Sequence, residues 1–186
     1  MAKEIPVYLF VGFLESGKTR FIQKTMEDER FSGDERTLLL CCEQGEEDYT
    51  PDTFVSSKVN LVNIDSVEEL TEDNLNALIK RFKSDRLVVE YNGMWMLSDL
   101  YAALPEDCVI YQQFTFVDCT TFTVYNNNMR NLMVDKLRDC ELAVFNRFTD
   151  STDKMEIHKV VRAANRMCDI AYEYENGEAE FDDIED

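Results

Sequence analysis

Gly12-Phe13-Leu14-Glu15-Ser16-Gly17-Lys18-Thr19 fits GxxxxGK[ST], a loop opened by one glycine and closed by Gly-Lys-hydroxyl. Its flanks decide the reading. Upstream, Ile5-Pro6-Val7-Tyr8-Leu9-Phe10-Val11 is a continuous apolar run, the pattern of a strand buried on both faces of a parallel sheet. Downstream, residues 19–27 suit a helix with Phe21, Ile22 and Met26 inward. Strand, glycine loop and helix in that order form a phosphate cradle. Glycine lets backbone N–H groups converge on phosphate oxygens, and the helix N-terminus adds partial positive charge. Lys18 is expected to neutralise β- and γ-phosphates, and the Thr19 hydroxyl to ligate Mg²⁺. Gly12, Glu15, Ser16, Gly17 and Arg20 complete the expected nucleotide contacts. The plainer alternative is a tight strand-to-helix turn with a surface lysine. Glu15 puts a carboxylate inside the loop, so metal-dependent binding is expected.

Further along, apolar runs at residues 37–42, 59–64, 86–90, 109–117, 142–145 and 170–174 suggest strands. Helical spacing lies between most of them. Val67, Leu70, Leu75, Leu78, Ile79 and Phe82 mark one helix, with Ser66 or Thr71 as its start. Residues 94–104 form another, ending before Pro105. Phe122, Tyr125, Met129, Leu132, Met133 and Leu137 mark one more, and Ile157, Val160, Val161, Ala164 and Cys168 the last. Strands alternating with helices predict an α/β fold: a mainly parallel central sheet flanked by helices, the three-layer P-loop NTPase arrangement. The expected division is a nucleotide-binding domain at residues 1–174 and an acidic tail or linker at 175–186. The abrupt acidic end suggests an N-terminal piece of something longer.

The 186 residues carry 19 Lys plus Arg against 38 Asp plus Glu, a net charge of −19. Such a surface repels nucleic-acid backbones and anionic lipid, so neither is an expected partner. No apolar run reaches the roughly 20 residues that span a bilayer, and the N-terminus lacks the pattern of a signal peptide. A cytoplasmic location is expected. The six cysteines include no CxxC pair and read as free core thiols. The single histidine, His158, reads as a surface residue.

Phosphate chemistry needs a second acidic position at a neighbouring strand end. Glu90 ends Leu87-Val88-Val89, and Gly93 follows at +3, where its N–H can meet a γ-phosphate. Glu90 is either a metal or water ligand or a solvated strand end. Asp118 closes a later strand, as a supporting partner or, more simply, a helix cap. Glu43-Gln44-Gly45-Glu46-Glu47-Asp48 follows the second strand and suits a segment sensing the γ-phosphate, or a solvated acidic loop. Asn146-Arg147-Phe148-Thr149-Asp150 looks like an altered NKxD base-reading motif. Arg147 can stack on a ring. Thr149 stands where a carboxylate belongs and cannot make its paired hydrogen bonds, with Asp150 one residue late.

In this order the segments resemble the CobW/HypB/UreG class of P-loop GTPases, nearest its CobW-like members. Gly-Phe-Leu-Glu-Ser-Gly-Lys-Thr is similar to that family's GFLGxGKTT, and Cys42-Glu43-Gln44-Gly45-Glu46 to its NEFGE. Glu90-Tyr91-Asn92-Gly93 parallels ETSG, Phe116-Val117-Asp118 parallels VVDA, and Asn146-Arg147 opens the NKxD equivalent. The resemblance implies Mg²⁺-dependent GTP or ATP binding with slow hydrolysis. Lys18, Glu43 and Glu90 would act on phosphate or water, and Thr19, Glu43 and Glu90 on the metal. Gly12, Glu15, Ser16, Gly17, Arg20, Gly93, Asn146, Arg147 and Asp150 would line the nucleotide.

The family's members insert zinc, cobalt or nickel, and its usual partner is a second copy across the nucleotide or a target protein. The sequence departs from the family pattern in its metal motif. The GCxCC metal motif is absent, with no cysteine between Cys42 and Cys108, so a transition metal is not expected on this chain. The family's C-terminal domain is not expected within these 186 residues, whose acidic end suits a linker to one. Two other readings stay open: a non-catalytic switch recruiting a partner through Met94-Trp95-Met96, and a small-molecule kinase.

Overall fold

The computed structural model describes residues 4–31 and 33–184. Among the described residues, eight strands form one sheet in the order β3-β2-β4-β1-β5-β6-β7-β8. They are β1 (Ile5–Gly12), β2 (Thr37–Cys41), β3 (Val59–Asn63), β4 (Arg86–Glu90), β5 (Cys108–Asp118), β6 (Leu142–Phe148), β7 (Asp169–Tyr174) and β8 (Ala179–Phe181). The first seven run parallel, and β8 pairs antiparallel with β7. The helices are α1 (Lys18–Met26), α2 (Glu72–Phe82), α3 (Leu97–Ala103), α4 (Phe122–Asn128), α5 (Arg130–Arg138) and α6 (Lys154–Ala164). The expected α/β fold is the observed one.

Strand alternation distributes the core. Val7, Leu9 and Val11 of β1 point to the face covered by Leu75 of α2 and by Leu97 and Leu100 of α3. Register carries that face through Thr115 to Ala143 and Phe145, which pack on α5 and α6. Phe10, Leu39, Val88, Phe116 and Val144 point the other way, onto Ile22 and Met26 of α1. Burying each such side chain contributes about 1.5–3 kcal/mol. Between β2 and β3 no α-helix crosses over. The connecting loop instead lays Tyr49 and Phe54 against the α1 side of the core.

The structure resolves one sequence alternative and revises four expectations. Thr71, not Ser66, caps α2: its hydroxyl accepts the Asn74 N–H, while residues 67–69 form a separate short turn. The expected single helix after β5 is two, broken at Met129 (φ −132°, ψ 40°) just after Asn126-Asn127-Asn128. Asparagine side chains compete for backbone groups, and Asn128 Nδ2 bonds the Val124 carbonyl. His158 is buried, because Asp182 comes down on it with Nδ1–Oδ2 at 2.6 Å. That contact belongs to a further change: part of the acidic tail folds back as β8, exposed yet paired with β7. Glu185 and Asp186 of that tail lie outside the described residues. Last, Asp118 caps the turn at Thr120, accepting its N–H at 2.8 Å, whereas Thr121 holds the cap position of α4.

Candidate nucleotide site

β1 lies between β4 and β5, where connections leave in opposite directions, and ligands of open α/β sheets bind at the carboxyl ends of strands there. The glycine loop leaves β1 at that point. Gly17 precedes α1 at φ 93°, a left-handed conformation suited to glycine. A side chain there would also press on Asn146 Nδ2 at 2.9 Å. Gly93 lies so close beneath the loop that a Cβ would stand 2.5 Å from the Gly12 carbonyl oxygen. Backbone is therefore packed against backbone at this point, with no room for a side chain between.

Lys18 is buried. Its Nζ donates to the carbonyls of Gly12 (2.8 Å) and Phe13 (2.9 Å) and to Glu43 Oε2 (2.5 Å). The second oxygen of Glu43 accepts the Gly93 N–H at 3.2 Å. Thr19 Oγ1 donates to Glu90 Oε1 at 2.6 Å, and the Tyr49 hydroxyl donates a short bond to Glu90 Oε2. Burial pushes the Glu90 carboxyl above its ordinary range, and the two hydroxyls and Lys18 pull it partway back. Cys41 faces the same carboxylate at 3.7 Å, and burial with that charge pushes its thiol up to about 11. The Ser16 hydroxyl is buried with no partner.

Asn146 Nδ2 donates to the Ser16 carbonyl at 2.5 Å, tying the end of β6 to the loop. Arg147, at φ 50°, donates to the Glu15 carbonyl at 3.2 Å and makes a short ion pair with Asp118. A cavity of about 420 Å³ opens over these groups. Glu15, Ser16, Gly17, Lys18, Thr19, Arg20, Glu43, Glu90, Asn146 and Arg147 line it. Gly12 and Gly93 stand behind that lining, and Asp150 is exposed outside it. Met94 and Met96 are exposed, whereas Trp95 packs edge-on against Tyr91.

Tyr49 carries no sequence signal, being one aromatic in an acidic loop with no motif around it. Glu173, Tyr174, Glu175 and Gly177, around the β7–β8 turn, also line the cavity. Their only sequence signal is Asn-Gly, a turn mark after a predicted strand.

The sequence profile of the CobW/HypB/UreG nucleotide-binding domain matches residues 6–173. This chain belongs to the CobW/HypB/UreG family. No curated protein sequence matches it. Among solved structures, a zinc-bound triple mutant of YjiA GTPase gives a TM-score of 0.64 at 17% identity, over 91% of this chain and 57% of that one. Zinc-bound YjiA GTPase from E. coli gives 0.58 at 16%, over 86% and 54%. The hydrogenase maturation factor HypB from Archaeoglobus fulgidus gives 0.55 at 16%, over 89% and 80%. At such identities these likenesses speak for the fold. This CobW-type chain spans a little over half the length of YjiA.

Proposed function

We propose that this CobW-type domain binds a Mg²⁺–nucleoside triphosphate, GTP by family, and hydrolyses it slowly. The observation that carries the reading is the convergence of Lys18, Thr19, Glu43 and Glu90 beneath a glycine loop. The unpartnered Ser16 hydroxyl and the closeness of Gly17 to Asn146 suit a phosphate held by backbone N–H groups. Thr19 and Glu90, an oxygen pair, suit Mg²⁺, with Glu43 as a further oxygen ligand. When bound, the metal would offset phosphate charge in this acidic site. Lys18 and the first N–H groups of α1 would stabilise charge on the phosphates as the β–γ bond breaks. Glu90 and Glu43 would orient the attacking water.

Turnover is expected to be slow alone, because Arg147 is committed to Asp118 and the loop. A second copy or a target protein would supply what is missing. A part in metal homeostasis and a cytoplasmic location are proposed on the family alone. The non-catalytic reading is favoured by one observation: Lys18 satisfies itself inside the protein.

Calorimetric titration of GTP and ATP, with and without Mg²⁺, tests the proposal on wild type and Lys18→Ala. Mg²⁺-dependent GTP binding should weaken about ten- to hundredfold in the variant, the worth of a charged hydrogen bond. Single-turnover hydrolysis below roughly 10⁻² s⁻¹ fits an unassisted GTPase. Binding without any hydrolysis would leave the switch reading, and equal ATP and GTP affinity would remove base selectivity. Binding of neither nucleotide would sink the proposal.

A further inference from the structure

We propose that Glu43 is a built-in stand-in for the terminal phosphate, so that the resting site favours a nucleoside diphosphate and admits a triphosphate only when Glu43 gives up Lys18 and Gly93 and turns toward the metal. This rests on the nucleotide reading above and adds a specificity-determining residue to it.

An ammonium group has three donors. Lys18 directs contacts to three oxygens: two loop carbonyls and Glu43 Oε2. The residue expected to grip the β- and γ-phosphates is thus fully engaged before any phosphate arrives. The acceptor that completes its set is an anion. The other oxygen of that anion takes the Gly93 N–H, the backbone donor that the sequence assigns to a γ-phosphate. One carboxylate therefore bridges the two groups a terminal phosphate would bridge, with the same sign of charge and two acceptor oxygens.

Burial separates this pair from a casual surface contact. The side chains of Lys18 and Glu43 are 2% and 9% exposed. The loop carrying Glu43 is also fastened on several sides. Its carbonyl accepts from Cys41 Sγ at 2.9 Å, Asn92 Nδ2 donates to the Cys42 carbonyl at 3.2 Å, and the Glu46 N–H reaches Glu15 Oε1 at 2.8 Å. Deeper in the cradle the position is different. Ser16 Oγ has no partner, and the N-terminal N–H groups of α1 have none within the helix. A diphosphate can use that part of the site with Glu43 in place. A γ-phosphate would meet a carboxylate on its own two donors, and like charges cannot share them.

The test titrates GDP and a non-hydrolysable GTP analogue into wild type, Glu43→Gln and Glu43→Ala, in EDTA and again with Mg²⁺. EDTA removes any role of Glu43 toward the metal. Wild type in EDTA should prefer GDP by about tenfold or more. In both variants the preference should fall to within about twofold, through tighter analogue binding. A wild type that prefers the triphosphate in EDTA overturns the proposal without any variant. So does a diphosphate preference that survives both substitutions. If neither nucleotide binds to any of the proteins, the underlying nucleotide reading fails and takes this one with it. Binding with an unmoved ratio overturns the role of Glu43 alone.

Discussion

Ser16 carries a buried hydroxyl with no hydrogen-bond partner, in a loop where Lys18 and Thr19 are both committed. An unsatisfied buried hydroxyl costs about 1–3 kcal/mol. Ser16→Ala removes that cost and opens no large cavity. The nucleotide-free variant should therefore unfold higher than wild type by about 2–4 °C for each kcal/mol recovered. Its affinity for nucleotide should fall about three- to tenfold, one neutral hydrogen bond's worth. Thermal unfolding with and without ligand reads both effects. A lower melting point without ligand would mean the hydroxyl has a partner in the free protein. Much of this residue-scale picture is legible in sequence, because GxxxxGK[ST] between a strand and a helix fixes backbone and lysine together. The partner of that lysine is not. Glu43 reads as a metal ligand or a solvated acid, and only the fold shows it seated on Lys18. Tyr49 is silent for a similar reason: its bond to Glu90 depends on how the loop after β2 lies across the sheet.

At the scale of elements, the acidic tail gives the clearest lesson. Eight acids in fourteen residues from Glu173 to Asp186 read as solvated chain, yet Ala179–Phe181 pairs with β7. A three-residue strand has no period to detect, and its support comes from elsewhere. Lys154 of α6 meets Glu180 Oε1 at 2.5 Å, and the Tyr174 hydroxyl donates to the same oxygen at 3.0 Å. The Lys154 bond, then that of Tyr174, holds Glu180 below its ordinary 4.5. Glu180, with Tyr174 and Asp183 nearby, holds Lys154 above 10.5. A depressed carboxylate adds stability above its unfolded value and loses it as pH falls through the folded one. A raised amine adds stability below its unfolded value and loses it as pH rises through the folded one. Strand β8 should thus stay docked between about pH 4.5 and 10.5 and loosen beyond either end. Beneath the pair, Asp182 contacts His158 and Tyr172, and Asp150 acts on Tyr174. Amide shifts of residues 179–181 across pH, compared with Glu180→Gln, check this. An acid-side transition that persists unchanged in the variant would assign it to another group. The long parallel strands were legible because burial on both faces leaves continuous apolar runs. The split of α4 from α5 was not, because apolar spacing runs straight through the break at Met129.

For the whole molecule, the question is how an anionic ligand reaches an acidic protein. The net charge is −19, and the cavity itself is not a basic island. Lys18, Arg20, Lys24 and Arg147 line it against Glu15, Glu43, Glu47, Glu90, Glu173 and Glu175. Two of those four cations are already paired, Lys18 with Glu43 and Arg147 with Asp118. The far field and the near field therefore both oppose a nucleotide. Salt shortens the reach of that repulsion, from about 30 Å at 0.01 M to about 8 Å at 0.15 M. The association rate of a fluorescent nucleotide, followed by stopped flow at fixed Mg²⁺, should rise about two- to fivefold between roughly 20 and 200 mM salt. Most anion-binding sites show the reverse, because their basic clefts steer ligand inward. A rate that falls with salt would mean Arg20 and Lys24, the two lining cations with no ion pair among the described residues, dominate the approach path. Charge reversal at those two positions would then slow association, and the net charge would cease to govern entry.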